Sequence, residues 1–298
     1  MTHDSSVHRT VPSSLEAGQL HDEQTEIADG AAVDGNIHVG YWDSAADDRS
    51  LNQATDRLTD LVAERLAAAP GQHLLDVGCG TGRPALRIAR ASGARVSGIS
   101  VSNQDIDLAR TRANATSLAD RVDFRYADAC ALPFEAESFD GAWAIESMMH
   151  IPDRTVALTE IARTLRPGST LVITDVLLRS PVTGHSAEIV RQTCRAFQSP
   201  SLPEPDELRT ALNRAGLKLV VFNDIGEHVR RTYQAFADAF GDIAPSADDR
   251  HHEFFNSTSF LPRFGALPQI GYAFLVARRE GKALPNRARA LLQDPAGR

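Results

Sequence analysis

Leu74-Leu-Asp-Val-Gly-Cys-Gly-Thr-Gly-Arg-Pro-Ala-Leu-Arg-Ile88 decides the fold of this chain. The apolar run from His73 to Val77 carries an acid, Asp76, near its end and reads as a buried strand. Gly78, Gly80 and Gly82 alternate directly behind it, and Ala85, Ile88 and Ala89 then recur at helical spacing. The pattern is strand, tight glycine loop, helix. Glycine lets the main chain turn with positive φ and lets a ligand approach the backbone where no Cβ stands. The helix that follows aims its unpaired N–H groups at the same spot.

The spacing and the acid choose between ligands. A dinucleotide site spaces its glycines G-x-G-x-x-G and sets a pyrophosphate on the helix N-terminus. Here the spacing is G-x-G-x-G, and Asp76 closes the strand immediately before it. That carboxylate repels a pyrophosphate and suits a ligand with an ammonium group, such as S-adenosylmethionine. The Leu-Leu-Asp-Val-Gly-Cys-Gly-Thr-Gly string resembles the first motif of class I S-adenosylmethionine-dependent methyltransferases. The resemblance implies Asp76, Gly78, Gly80 and Gly82 as cofactor-binding residues, with S-adenosyl-L-homocysteine as product.

With 298 residues, 42% hydrophobic and 23% charged, the chain has the composition of an ordinary soluble globular protein and can bury a substantial core. No apolar run reaches the roughly 20 residues of a membrane span, and the N-terminus has no signal-like apolar segment. Cys79, Cys130 and Cys194 are odd in number and widely spaced, as reduced thiols of a cytoplasmic protein would be. A net charge of −8 argues against a nucleic-acid surface. The expected partner is a small molecule, partly apolar, with no nucleic acid and no membrane. Subunit number is open, and a homo-oligomer is among the outcomes.

Residues 1–35 are polar without sustained apolar period and read as a mobile arm, either disordered or a lid. Residues 36–279 form the methyltransferase domain, and 280–298 a loose polar tail. Ile37-His-Val-Gly-Tyr-Trp-Asp43 places Tyr41 and Trp42 in a loop, where they plug the core edge or cover a ligand. By resemblance, a Gly-Tyr-Trp so placed sits over the methionine end of the cofactor, which makes Tyr41 a cofactor contact. Leu58, Leu61, Val62 and Leu66 mark an amphipathic helix that ends at Pro70-Gly71.

Further strands are expected at Ala94–Ile99, Arg121–Tyr126, Ser138–Ile145, Ser169–Asp175, Leu217–Phe222 and Ile270–Ala277. Helices lie between them, one carrying Leu158 and Ile161 and stopped by Pro167-Gly168. This α/β alternation gives a Rossmann-like, mostly parallel doubly wound sheet, and the resemblance implies seven strands with the last antiparallel. A segment over 224–268, between the last two strands, reads as a helical cap over the substrate side. Its Tyr233, Phe236, Phe240, Phe254 and Phe255 are cap core or pocket wall. His251-His-Glu253 is not a metal site, because adjacent helical histidines diverge and no second cluster completes a ligand set.

The second strand ends in Ser100, where an acid usually meets the ribose. Gly-Ile-Ser-Val-Ser102 is similar instead to bacterial natural-product methyltransferases related to antibiotic sugar O-methyltransferases, which implies that Ser100 and Gln104 take that role. Asp128 and Ala129 resemble the pair that reads the adenine. Glu146 leaves the fourth strand at the carboxyl edge, where open α/β sheets bind ligands, and joins the cofactor-binding set.

His150 follows at the same edge, and an unperturbed histidine, at about 6.5, can take a proton at neutral pH. Asp175 ends the fifth strand beside it and could orient the ring. In the sugar O-methyltransferases, two adjacent histidines and an Asp serve as the base. Here the first of those histidines is Met149, a departure that puts dyad deprotonation in doubt. O-methylation with His150 and Asp175 is therefore expected, with N- or C-methylation and a cofactor-retaining cyclase as open alternatives.

Overall fold

The computed structural model describes residues 38–241 and 260–281. The expected arm over 1–35, most of the tail, and His251, His252, Glu253, Phe254 and Phe255 lie outside these residues. Seven strands form one sheet: β1 His73–Val77, β2 Arg95–Ser100, β3 Val122–Tyr126, β4 Phe139–Ile145, β5 Leu165–Leu178, β6 Leu217–Asp224 and β7 Ile270–Arg279. Their order is β3-β2-β1-β4-β5-β7-β6. The first five pair in parallel, and β7 runs antiparallel between β5 and β6. The expected Rossmann-like, mostly parallel seven-stranded fold is present.

Both faces of the central strands are covered, which is why β1 and β4 are buried at nearly every position, while the edge strands β3 and β6 are partly exposed. On one face Leu74, Val96, Trp143 and Val172 meet helices α1 (Leu51–Leu66), α2 (Arg83–Ser92) and α3 (Asn103–Asn114). On the other, Leu75, Ala142, Ala144 and Ile173 meet α4 (Arg154–Thr164) and, later in the chain, α6 (Pro205–Arg214). Successive strand residues point to opposite faces, so Leu74 and Leu75 serve different cores. Ser50 starts α1 with a capping box, its side chain accepting the Gln53 N–H while the Gln53 side chain returns to the Ser50 N–H. Asp153 starts α4 by accepting the Val156 N–H at 3.0 Å.

The helix expected to run to Pro167-Gly168 ends sooner. Leu165, fully buried, leaves α4 directly into β5 and pairs with Phe139. The register then shifts, and the proline and glycine lie in the irregularity before Thr170 meets Gly141. Burial of Leu165 outweighs the local stop signal. One helix was not expected from the sequence, α5 (Gly184–Ala196). Between β6 and β7 the described residues hold α7 (Gly226–Val229), α8 (Arg231–Gly241) and α9 (Leu261–Ala266). No helix among the described residues is long and apolar enough to cross a membrane.

Candidate active site

The carboxyl ends of β1, β2 and β4 open into one cavity of about 360 Å³, within the size range of small-molecule sites. Asp76, Gly78, Gly80, Ser100, Asp128, Ala129, Glu146 and His150 all line it. The three glycines of the first loop have distinct tasks. At Gly78 (φ +81) a Cβ would stand 2.3 Å from that of Ser147, whose hydroxyl donates to the Val77 carbonyl at 2.5 Å. At Gly80 (φ +47) a Cβ would meet no protein atom within 4 Å, so the space beside this backbone is open. Gly82 is not part of the lining. It caps α2, and a Cβ there would strike Phe124 and Ala109. The structure gives Gly82 to helix packing and not to the cavity.

Asp76 is 2% exposed, and burial pushes its carboxyl well above the usual carboxylate range. Its Oδ2 has no hydrogen-bond partner among the described residues, although it lines the cavity. A buried, unpaired carboxylate oxygen is costly by itself, and a cationic ligand group removes that cost. At the tip of β2, Ser100 donates to Asp105 at 3.5 Å, and Asp105 lines the cavity while Gln104 does not. An acid does line the cavity here, from the first turn of α3, where Ser102 caps the helix by accepting the Asp105 N–H at 2.9 Å. The Ser-x-x-Asp spacing of a helix start was the available signal. Asp128 turns the loop after β3 by accepting the Cys130 N–H at 2.8 Å.

Glu146 is held in the left-handed region (φ +50), where non-glycine residues are uncommon. Its Oε1 accepts the Val39 N–H and the Tyr272 hydroxyl, both at 2.8 Å. Burial pushes its carboxyl up to about 7, against those two bonds and with help from the charge of Asp175. His38 and Val39 thereby enter the lining, which the sequence did not indicate. His38 has Nδ1 on the Val39 carbonyl at 2.9 Å and Nε2 on Thr59 at 3.3 Å, and burial pushes its pKa down to about 4.

Tyr41 does not line the cavity. Its ring stacks on His228 of α7 at 4.6 Å and 10°, its N–H donates to the Ala54 carbonyl, and Arg231 lies over the neighbouring Trp42. The two aromatics join the segment before α1 to the region between β6 and β7.

His150 ends a short 3-10 turn, Met148–His150, and faces the same cavity as Asp76 and Asp128. Asp175 does not share that cavity lining. Its oxygens accept the Met149 and Val176 N–H groups, each at 2.8 Å, and burial pushes its carboxyl up to about 7 against the charge of Arg154. The expected ring-orienting acid is a backbone clamp. Phe197, Leu202, Phe236, Leu261 and Phe264 give the cavity an apolar wall from one core cluster, joined by Tyr233 and Met149. Phe197 and its neighbour Thr193 come from α5 and the residues behind it, unseen because that helix carries a short apolar period. Among the described residues no three of His, Cys, Asp and Glu are grouped as metal ligands.

Residues 75–173 match the family described as "Methyltransferase domain". The chain is 42% identical over 214 residues to O-methyltransferase rstn1 of Aspergillus nomiae NRRL, covering 72% of this chain and 94% of that one. It is 37% identical over 275 residues to 27-O-demethylrifamycin SV methyltransferase of Amycolatopsis mediterranei, covering 91% and 99%. Among solved structures, the [4+2]-cyclase SpnF superposes with a TM-score of 0.81 at 33% identity, covering 91% and 98%. The orphaned Asp76 oxygen, the open space at Gly80 and the acids at Asp105 and Asp128 suit a ligand with a cationic amino-acid end, a ribose and an adenine. The chain belongs to the class I S-adenosylmethionine-dependent methyltransferase family, and it is a methyltransferase enzyme with S-adenosylmethionine as its cofactor.

Proposed function

We propose that this chain methylates a hydroxyl of a partly apolar small molecule of natural-product type, with His150 as general base. One observation carries the reading: His150 lines a single cavity together with the polar residues Asp76, Gly80 and Asp128 and the apolar residues Phe197, Phe236 and Phe264. The names of the O-methyltransferase relatives support the same acceptor class.

S-adenosylmethionine supplies a methyl already activated on a positively charged sulfur. Asp76, Gly78, Gly80, Ser100, Asp105, Asp128 and Ala129 would hold it, and Glu146 fixes the Val39 end of the lining. The remaining task of the protein is alignment, worth up to roughly 7–11 kcal/mol in favourable cases. The apolar wall binds the acceptor and excludes water, and a ring nitrogen of His150 takes the hydroxyl proton as the oxygen attacks. Asp175 acts on this step through the Met149 peptide.

A second reading, a cyclase that transfers no methyl, draws on the similarity to SpnF. The test is S-adenosylhomocysteine release against hydroxyl, amine and alkene acceptors, with wild type and His150→Ala. Turnover of hydroxyls, lowered ~10²–10⁴-fold in the variant, is the expected result. Turnover confined to amines or alkenes, or a loss below tenfold with chemistry rate-limiting, overturns the base. Conversion of a polyene without S-adenosylhomocysteine release supports the cyclase.

A further inference from the structure

The Met149 peptide, immediately before His150, is held from both sides. Its N–H goes to Asp175, and its carbonyl accepts the Ser199 hydroxyl at 2.9 Å and Arg154 Nη2 at 3.4 Å. Arg154 also donates through Nε to the Met148 carbonyl at 3.1 Å and through Nη2 to the Ser201 carbonyl at 2.5 Å. One guanidinium therefore spans the turn that carries His150 and the segment 197–202.

That segment is part of the acceptor wall. Phe197 and Leu202 line the cavity at its two ends. Between them Gln198 adopts a left-handed conformation (φ +45), and the Ser199 N–H returns to the Cys194 carbonyl at 2.8 Å. The charges of Asp175 and Glu207 both favour the half-buried guanidinium. The planar fork of arginine can serve carbonyls on two segments at once, which a lysine ammonium on its flexible stem does not reproduce.

We propose that Arg154 and Ser199 are positioning residues that couple acceptor binding to the placement of His150. The wall segment and the base-bearing turn share the Met149 carbonyl, so they shift as one body. An acceptor that seats properly on Phe197 and Leu202 sets the base, and one that does not leaves it misplaced. The proposal rests on the reading of His150 as base.

The test is amide hydrogen exchange on the full chain with S-adenosylhomocysteine added, for wild type, Arg154→Met, Arg154→Lys and Ser199→Ala. Arg154→Met is expected to speed exchange at least tenfold at Met149 to Ile151 and, together with them, at Ser199, whose N–H is bonded to the Cys194 carbonyl. The strands β1 to β5 keep their protection. Ser199→Ala speeds the same two groups less. Arg154→Lys restores the charge beside Asp175 and the melting temperature, but not the joint protection.

With any acceptor that releases S-adenosylhomocysteine in wild type, Arg154→Lys lowers kcat at least tenfold and leaves KM for S-adenosylmethionine unchanged. Faster exchange in one segment alone, or a kcat for Arg154→Lys within twofold of wild type, overturns the coupling. Joint exchange combined with a His150→Ala variant of undiminished rate refutes the base and leaves the coupling standing.

Discussion

Asp175 accepts the main-chain N–H of Met149 at 2.8 Å, so an acid three residues inside the end of β5, which runs on to Leu178, holds the main chain just ahead of His150. Asp175→Asn keeps one acceptor but presents an NH₂ group to the other amide, leaving that buried N–H unpaired. A loss of about 1–3 kcal/mol in urea unfolding is expected, the cost of a buried N–H left without its partner. His150→Ala, by contrast, lowers turnover without a comparable loss of stability. Equal stability of Asp175→Asn and wild type would show that the clamp is dispensable.

The glycine loop separates into ligand space and packing space. Gly80→Val fills open cavity beside a left-handed residue and is expected to abolish S-adenosylmethionine binding in calorimetry. Unchanged affinity would sink the assignment of this loop. Gly82→Ala drives a methyl into Phe124 and Ala109, so its effect is on melting temperature first.

Glu146 makes stability depend on pH. Its carboxyl titrates near 4.5 in an unfolded chain and is pushed up to about 7 in the fold by burial. Between those values the folded state keeps a proton that the unfolded state has lost, so stability falls as pH rises from about 4.5 to 7. Glu146→Gln retains an oxygen for the Val39 N–H and the Tyr272 hydroxyl but does not titrate. The difference in melting temperature, variant minus wild type, should therefore grow across this window by a few degrees, at roughly 2–4 °C per kcal/mol. His38 has the opposite slope at acid pH but is common to both proteins and cancels in the difference. A flat difference refutes the assignment.

Tyr41 tests the boundary of the site. Because its ring lies on His228 and not on the cavity, Tyr41→Phe should bind S-adenosylmethionine within twofold of wild type. Tyr41→Ala and His228→Ala should each lower the melting temperature. A tenfold loss of affinity in Tyr41→Phe would return Tyr41 to the cofactor.

Where one strand and one loop act locally, the sequence is enough. His73–Val77, the glycine spacing and Asp76 place the first βα unit, and the same logic reaches Asp128 and His150. Residues whose role depends on distant partners were not legible. Tyr41 meets a histidine 187 positions away in sequence. Asp175 is turned to the backbone by a peptide on another strand's exit loop. Asp105 rather than Gln104 faces the cavity because the Ser102 cap fixes the phase of α3, a one-residue distinction that apolar periodicity does not resolve. The helix Gly184–Ala196 offers only Ile189, Val190 and Thr193 as a buried face, too few for a confident period.

The insertion of β7 between β5 and β6 also dictates the order of events during synthesis. Until Ile270–Arg279 leaves the ribosome, Thr170–Thr174 is paired on its β4 side alone and Leu217–Asp224 has no partner strand. Open edges recruit other chains as readily as their own, and long-range pairing is slow. A chain interrupted before Ile270 would therefore carry a five-stranded sheet with an open, aggregation-prone border at β5 and an unpaired β6.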